Sequence, residues 1–197
     1  MILGISGSPV KRGSYFLLEE ALKEVENKGI KTDILQIADY NLEFCRGCDH
    51  CLSEQECIID DDLEEIAEKL LAADGYIIAS PSYFGGVTAN LKNFFDRTRY
   101  LKMSNNKLEN KLLTALATSG LKHGGGQSTI ETIHRFALNH GMLVFSNLGT
   151  PQTDSSLVIG CLEKDDGWRK IKDDQKAVKA AKNLGSRISY LLEKFAE

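Results

Sequence analysis

The chain has no long hydrophobic run. Stretches such as Leu70-Leu71-Ala72-Ala73 and Met142-Leu143-Val144-Phe145 stop after a few residues, where a membrane-spanning helix needs about 20, so no membrane partner is expected. Positive charge is not in excess: the net charge is −4 and the pI ≈ 5.6, which argues against broad nucleic-acid binding. Internal repeats, low-complexity tracts and a domain linker are absent. The opening Met1-Ile2-Leu3-Gly4-Ile5-Ser6 lacks the basic and long apolar stretches of a signal peptide, so the expected location is the cytoplasm. What remains is a globular composition of 197 residues, 42% hydrophobic and 26% charged, enough for one well-buried domain spanning 1–197.

Short apolar runs alternate with helical spacings. Strands are expected over 2–6, 32–37, 76–79, 112–117 and 142–145. Helices are expected over 15–28, 61–73, 88–99, 128–139 and 173–196. Helix 61–73 would turn Leu63, Ile66, Ala67, Leu70 and Leu71 inward, and the last helix Ala177, Ala181, Leu184, Ile188 and Leu191. Apolar strands between amphipathic helices mean an α/β sandwich with a parallel sheet covered on both faces, here in the order 2-1-3-4-5. Two connections are too long to be plain loops, about 39–60 and about 147–172. The second holds Leu157-Val158-Ile159 and the one tryptophan, Trp168. It is expected to form a hairpin, a lid or an oligomer contact.

Three loops fall at carboxyl ends of adjacent strands, where such sheets bind ligands. The first, Gly7-Ser8-Pro9-Val10-Lys11-Arg12-Gly13-Ser14-Tyr15, opens a helix. Free N–H groups, the helix dipole and the hydroxyls of Ser6, Ser8 and Ser14 suit a phosphate there, with Lys11 and Arg12 as counter-charges. It matches neither a P-loop nor G-x-G-x-x-G. The second runs from Ser80 to Gly86 and the third from Thr118 to Gly126. Together they suit an aromatic heterocycle carrying one phosphate.

Gly7-Ser8-Pro9 with Gly13-Ser14, Pro81-Ser82-Tyr83-Phe84-Gly85-Gly86-Val87 leading into Leu91-Lys92-Asn93-Phe94-Phe95-Asp96-Arg97, and Thr118-Ser119-Gly120 resemble the flavodoxin-like NAD(P)H-dependent FMN reductases. The resemblance implies a flavodoxin-like fold and bound FMN. By its pattern Ser6, Ser8, Pro9, Lys11, Gly13, Ser14 and Tyr15 lie at the phosphate. Pro81, Ser82, Tyr83, Phe84 and Gly85 line the isoalloxazine, with Ser119, Gly120 and Gly125 on its far side. Where relatives often carry Arg after Gly-Ser-Pro, this chain has Val10, and Lys11 or Arg12 is the candidate replacement.

Four of the five cysteines form Cys45-x2-Cys48-x2-Cys51-x5-Cys57. In a reducing compartment such clustering points to metal or redox chemistry. Cysteines three apart let one short loop present thiolates to different irons of a cluster, and the longer spacer lets Cys57 return to it. A four-cysteine zinc site and metal-free thiols are the other readings. Cys161 reads as a small buried hydrophobe. The acidic run beside the cluster, Glu54 to Glu65, reads as helix capping. His50 is a candidate partner for a cluster sulfur, His123 for the flavin.

Within an FMN-reductase-like chain the cysteine run resembles the iron–sulfur flavoproteins, which implies a [4Fe–4S] cluster on Cys45, Cys48, Cys51 and Cys57. It also implies a ferredoxin-like electron donor and a homodimer or homotetramer. The expected function is that of an electron-transfer oxidoreductase holding FMN and [4Fe–4S], their loops on one rim of the sheet. NAD(P)H is a further candidate reductant. The alternatives are an NAD(P)H-dependent FMN or quinone reductase without a functional cluster, and a non-catalytic flavin or metal sensor.

Overall fold

The computed structural model describes residues 1–150, 152 and 154–196; residues 151 and 153, in the second long connection, lie outside it. The chain runs β1 (Ile2–Ser6), α1 (Gly13–Glu26), β2 (Thr32–Gln36), α2 (His50–Ser53), α3 (Leu63–Ala72), β3 (Gly75–Pro81), α4 (Ala89–Arg97), α5 (Arg99–Met103), β4 (Leu112–Ser119) and α6 (Gly126–Asn139). It then forms β5 (Leu143–Val144), β6 (Val158–Cys161), β7 (Glu163–Lys164), β8 (Gly167–Trp168) and α7 (Gln175–Ala196).

β1 is buried along its whole length and pairs in parallel with β2 and β3. Its side chains alternate between the two faces of the sheet. Leu3 and Ile5 join the core under α3, α4 and α6. Ile2 joins the core under α1 and α7. The order β2-β1-β3-β4-β5 is the expected one.

The edge beyond β4 differs from expectation. Only Leu143–Val144 pairs there, against Leu112 and Leu113. The chain then leaves the sheet and returns as β6, which pairs in parallel with Leu116–Ser119 further along the same flank of β4. Two short strands thus share one edge, and the second long connection supplies one of them. The run Leu157-Val158-Ile159 carried that signal. The connection also holds the β7–β8 hairpin.

Helix faces follow the apolar spacing. In α3, Leu63, Ile66, Ala67 and Leu70 are buried. Leu71, in the last turn of the helix, is exposed. α7 turns Ala177, Ala181, Leu184 and Ile188 inward and lies across α1. Gly185 meets the Ala21 carbonyl there, where a side chain would have no room.

His140, at the end of α6, is buried. The Thr98 hydroxyl donates to the Phe95 carbonyl (2.8 Å) and lies 3.1 Å from His140 Nε2. The hydroxyl has one proton, so Nε2 is the donor in that contact. Nδ1 is buried with no partner among the described residues, and a second proton there would be a charge in an apolar pocket. Burial, with the Lys102 ammonium adding, lowers the His140 pKa to about 4. The unfolded chain, with an ordinary imidazole near 6.5, takes up a proton that the folded chain refuses. Stability from this group is complete above about pH 6.5 and is lost as pH falls toward about 4, by up to about 3 kcal/mol. Urea unfolding at pH 7 and pH 4.5 checks it. His140→Gln should lose less stability across that interval than the wild type, and equal losses would rule the account out.

Candidate functional site

The carboxyl ends of β1, β3 and β4 open into a hollow of about 730 Å³, within the range of roughly 300–1,000 Å³ usual for small-molecule sites. Its floor is the turn from β1 into α1. Gly7 N–H donates to the Ala79 carbonyl (2.8 Å), and Gln36 Nε2 donates to the Ser8 carbonyl. Thr88, the N-cap of α4, accepts from Leu91 N–H (3.2 Å) and donates to the Gly7 carbonyl. At Gly7 an added Cβ would come to 2.7 Å from Leu91, so only glycine lets the turn lie this close to α4.

The first bond into α1 runs from Phe16 N–H to the Arg12 carbonyl (2.8 Å). The N–H groups of Gly13, Ser14 and Tyr15 have no partner among the described residues. Ser6 Oγ is fully buried and also unpartnered. Free donors and a helix dipole at the mouth of a hollow suit an anion. The free donors and the volume fit a phosphorylated ring such as FMN.

Ser8, Lys11, Gly13, Ser14 and Tyr15 line this hollow, as do Pro81, Ser82, Tyr83, Ser119 and Gly120. Ser82 N–H donates to the Thr118 carbonyl (2.7 Å), which ties the second loop to the third. Ser82 Oγ donates to the Gly124 carbonyl and Ser119 Oγ to the Leu121 carbonyl. These hydroxyls hold the loops and keep their lone pairs for a ligand.

The structure does not bring the other expected residues to the wall. Ser6 lies behind it and Pro9 is exposed. Phe84 is fully exposed at the tip of a tight turn in which Tyr83 and Gly86 exchange backbone bonds. Gly85 (φ 78°) is in that turn, and Gly125 (φ 80°) packs against it. His123 is exposed and outside the hollow. Sequence reading missed a fourth wall, made by Leu162, Lys170, Ile171 and Lys172. The signal was the length of the second connection.

Cys45, Cys48, Cys51 and Cys57 line a second, smaller hollow of about 30 Å³. Cys45 and Cys48 are exposed on its lip; Cys51 and Cys57 are half-buried. Turns with positive φ at Gly47 and Asp49, followed by α2, fold the peptide back on itself. Asp49 pairs with Arg99 at 2.8 Å, and the Ser104 hydroxyl donates to the Gln55 carbonyl. Burial pushes the Cys51 thiol up, and the Arg99 guanidinium is the largest influence against it. His50 faces Glu56 at 3.6 Å.

Arg97 is the keystone of this region. Its side chain is 1% exposed and that of Asp61 0%. Its guanidinium donates to the Glu43 carbonyl (2.6 Å), to both Asp61 oxygens (2.5 and 3.0 Å) and toward Cys57 Sγ (3.5 Å). Burial pushes the Asp61 carboxyl up. The Arg97 bond and N–H bonds from Glu43 and Leu63 more than reverse this and hold it below the ordinary carboxylate range. The acidic run is therefore more than a cap: one of its members is the buried partner of Arg97.

The placement also corrects the expectation of a shared rim. The cysteine peptide leaves the end of β2 and runs along α4, where Asn93 Nδ2 donates to the Leu42 carbonyl (2.9 Å). α4 begins at Thr88 beside the phosphate turn and ends at Arg97 beside Cys57. The helix between them spans about 13 Å, and the two hollows share no wall residue.

The donor set of four thiols fits a [4Fe–4S] cluster in number and chemistry. Among the described residues, no three His, Cys, Asp or Glu side chains gather as they would around a single metal ion. Among the described residues, no helix is long and apolar enough to cross a membrane.

A flavodoxin-type sheet with this hollow defines a flavin-dependent oxidoreductase. The chain belongs to the NADPH-dependent FMN reductase family, whose pattern matches residues 1–152. It is 38% identical over 192 residues to an iron–sulfur flavoprotein of Archaeoglobus fulgidus, covering 98% of this chain and 95% of that one. An iron–sulfur flavoprotein of Methanocaldococcus jannaschii is 37% identical over 193 residues, covering 98% and 97%. In fold it is similar to the flavodoxin, WrbA-like protein from Agrobacterium tumefaciens. The TM-score is 0.64 at 14% identity, over 98% of this chain and 97% of the other.

Removing one member of a buried ion pair leaves an uncompensated charge, at a cost of about 3–5 kcal/mol. Arg97→Met should destabilise the chain by about that much in urea unfolding at neutral pH. The double variant Arg97→Met with Asp61→Leu should recover part of it. A double variant no more stable than the single one would show that the pair is not what holds this region.

Proposed function

We propose that this flavin-dependent oxidoreductase is an electron-transfer flavoprotein that holds FMN in the larger hollow and a [4Fe–4S] cluster on Cys45, Cys48, Cys51 and Cys57. The observation that carries the reading is that all four cysteines line one hollow together with Arg97 and Arg99. The likeness to two archaeal iron–sulfur flavoproteins supports it. When bound, FMN exchanges electrons singly or in pairs and an iron–sulfur cluster exchanges them singly. The chain's own residues bind and orient. The N–H groups of Gly13, Ser14 and Tyr15 take the phosphate. Pro81, Ser82 and Tyr83 face Ser119 and Gly120 across the ring space. Arg97 and Arg99 offset thiolate charge.

On this reading the electrons come from a ferredoxin-like donor and pass to an acceptor, with NAD(P)H a further source. The working unit is a homodimer or homotetramer in a reducing cytoplasm, where thiols stay free. The competing reading is an NAD(P)H-dependent FMN or quinone reductase without a functional cluster.

Anaerobic purification with iron, acid-labile sulfide, zinc and FMN counted together separates the two. About four irons and four sulfides per FMN are expected. Cys48→Ser should lose the iron and keep the FMN. Flavin-loaded protein without iron that turns over NAD(P)H rapidly would establish the competing reading, and one zinc per chain would make the cysteines structural.

A further inference from the structure

Among the described residues, three cations line the larger hollow without an acidic partner. Lys11 is taken by Asp39 at 3.3 Å, and residue 10 is an uncharged valine. Among the described residues no acid pairs with Arg12, Lys170 or Lys172, all of which line the hollow. A phosphate monoester carries close to two negative charges at neutral pH. The turn after β1 offers only Arg12 as an uncommitted cation against them.

Lys170 and Lys172 come from the fourth wall, and that wall is fixed in place. Ile171 between them is buried and seated on Gly13, where an added Cβ would come to 2.5 Å from Ile171 Cγ1. Asp174, also buried, accepts from Cys161 N–H (3.1 Å), Arg169 Nη2 (2.5 Å) and Ala177 N–H (3.3 Å). Arg169 Nε donates to the Cys161 carbonyl (2.9 Å). Leu162 and Glu163 N–H groups donate to the Ser119 and Gly120 carbonyls (3.0 and 2.9 Å). The segment is thus bonded to the third loop at one end and packed on the start of α1 at the other. The two lysines flank the residue that touches Gly13, the first residue of the helix whose N–H groups are free.

We propose that Lys170 and Lys172, carried by the segment packed on the start of α1, are the charge partners of the flavin phosphate. This rests on the FMN reading above. The phosphate would then be held by two parts of the chain that meet only in the fold, the backbone donors at the start of α1 and the ammonium groups of the later segment. The lysines attract the phosphate and do nothing for the ring. Their contribution is electrostatic and weakens with salt.

The test compares FMN with riboflavin, which has the same ring and no phosphate. Flavin-free full-length chain is titrated with each, following flavin fluorescence. Wild type should bind FMN more tightly than riboflavin, with the gap narrowing as ionic strength rises. The double variant Lys170→Gln with Lys172→Gln should weaken FMN about tenfold at low salt and leave riboflavin affinity unchanged. Both lysines are exposed, and an unchanged thermal midpoint establishes that the variant is folded. Equal weakening of both flavins would assign the lysines a packing role and overturn the proposal. Unchanged FMN affinity with a reduced preference for NADPH over NADH would overturn it too, since the cations would then serve another phosphate. Wild-type chain that binds neither flavin would overturn the FMN reading itself, an outcome visible before any variant is made.

Discussion

A strand hydrogen-bonded on both sides has nothing left to give at its end except a change of direction. β1, paired with β2 and β3 throughout, is in that position. Parallel pairing requires each connection to cross back over the sheet as a helix. The turns after β1, β3 and β4 are therefore gathered at one end of the sheet. The backbone donors released there, at the start of α1, are ones that the sheet cannot use. The larger hollow follows from that constraint, and its chemistry from the turn residues. Gly7 lets the turn approach α4, Ser6 supplies a buried hydroxyl, and Gly13 lets a distant segment rest on it.

The cysteine hollow obeys a different logic. It owes little to the sheet and much to Arg97. One buried guanidinium collects the Glu43 carbonyl, the Asp61 carboxylate and Cys57, and so ties both flanks of the cysteine peptide to the end of α4. A desolvated charge satisfied by several partners fixes geometry more sharply than apolar contact does, because misplacing any partner leaves a buried charge exposed to the deficit. The peptide around the cysteines has few apolar anchors of its own, with Phe44, Leu52 and Ile58 exposed.

The alternation of buried runs and amphipathic stripes in the chain made the sheet order and helix faces legible, because burial on two faces leaves a period that any reader can count. The three ligand loops were legible for a related reason, since glycine, serine and proline at strand ends have few other uses. Arg97 was visible only as part of a motif. Nothing local marks it as the partner of Asp61, since ion pairs between distant residues leave no periodic trace. The fourth wall was hidden by the brevity of its elements. The turn holding Ile171 is too short to show a period, and its position depends on Gly13, far away in the chain. The descent of the cysteine peptide along α4 was equally invisible, because strand order says where a loop starts and not where it goes.

The divided edge of the sheet has one more consequence. An uninterrupted outer strand offers a row of unsatisfied N–H and C=O groups on which a stranger's backbone can crystallise, a common start for fibrils. Here that flank is broken into a two-residue step and a four-residue step with an excursion between them. Neither step is long enough to template an incoming strand, so the excursion between them blunts this flank of the sheet against edge-to-edge association.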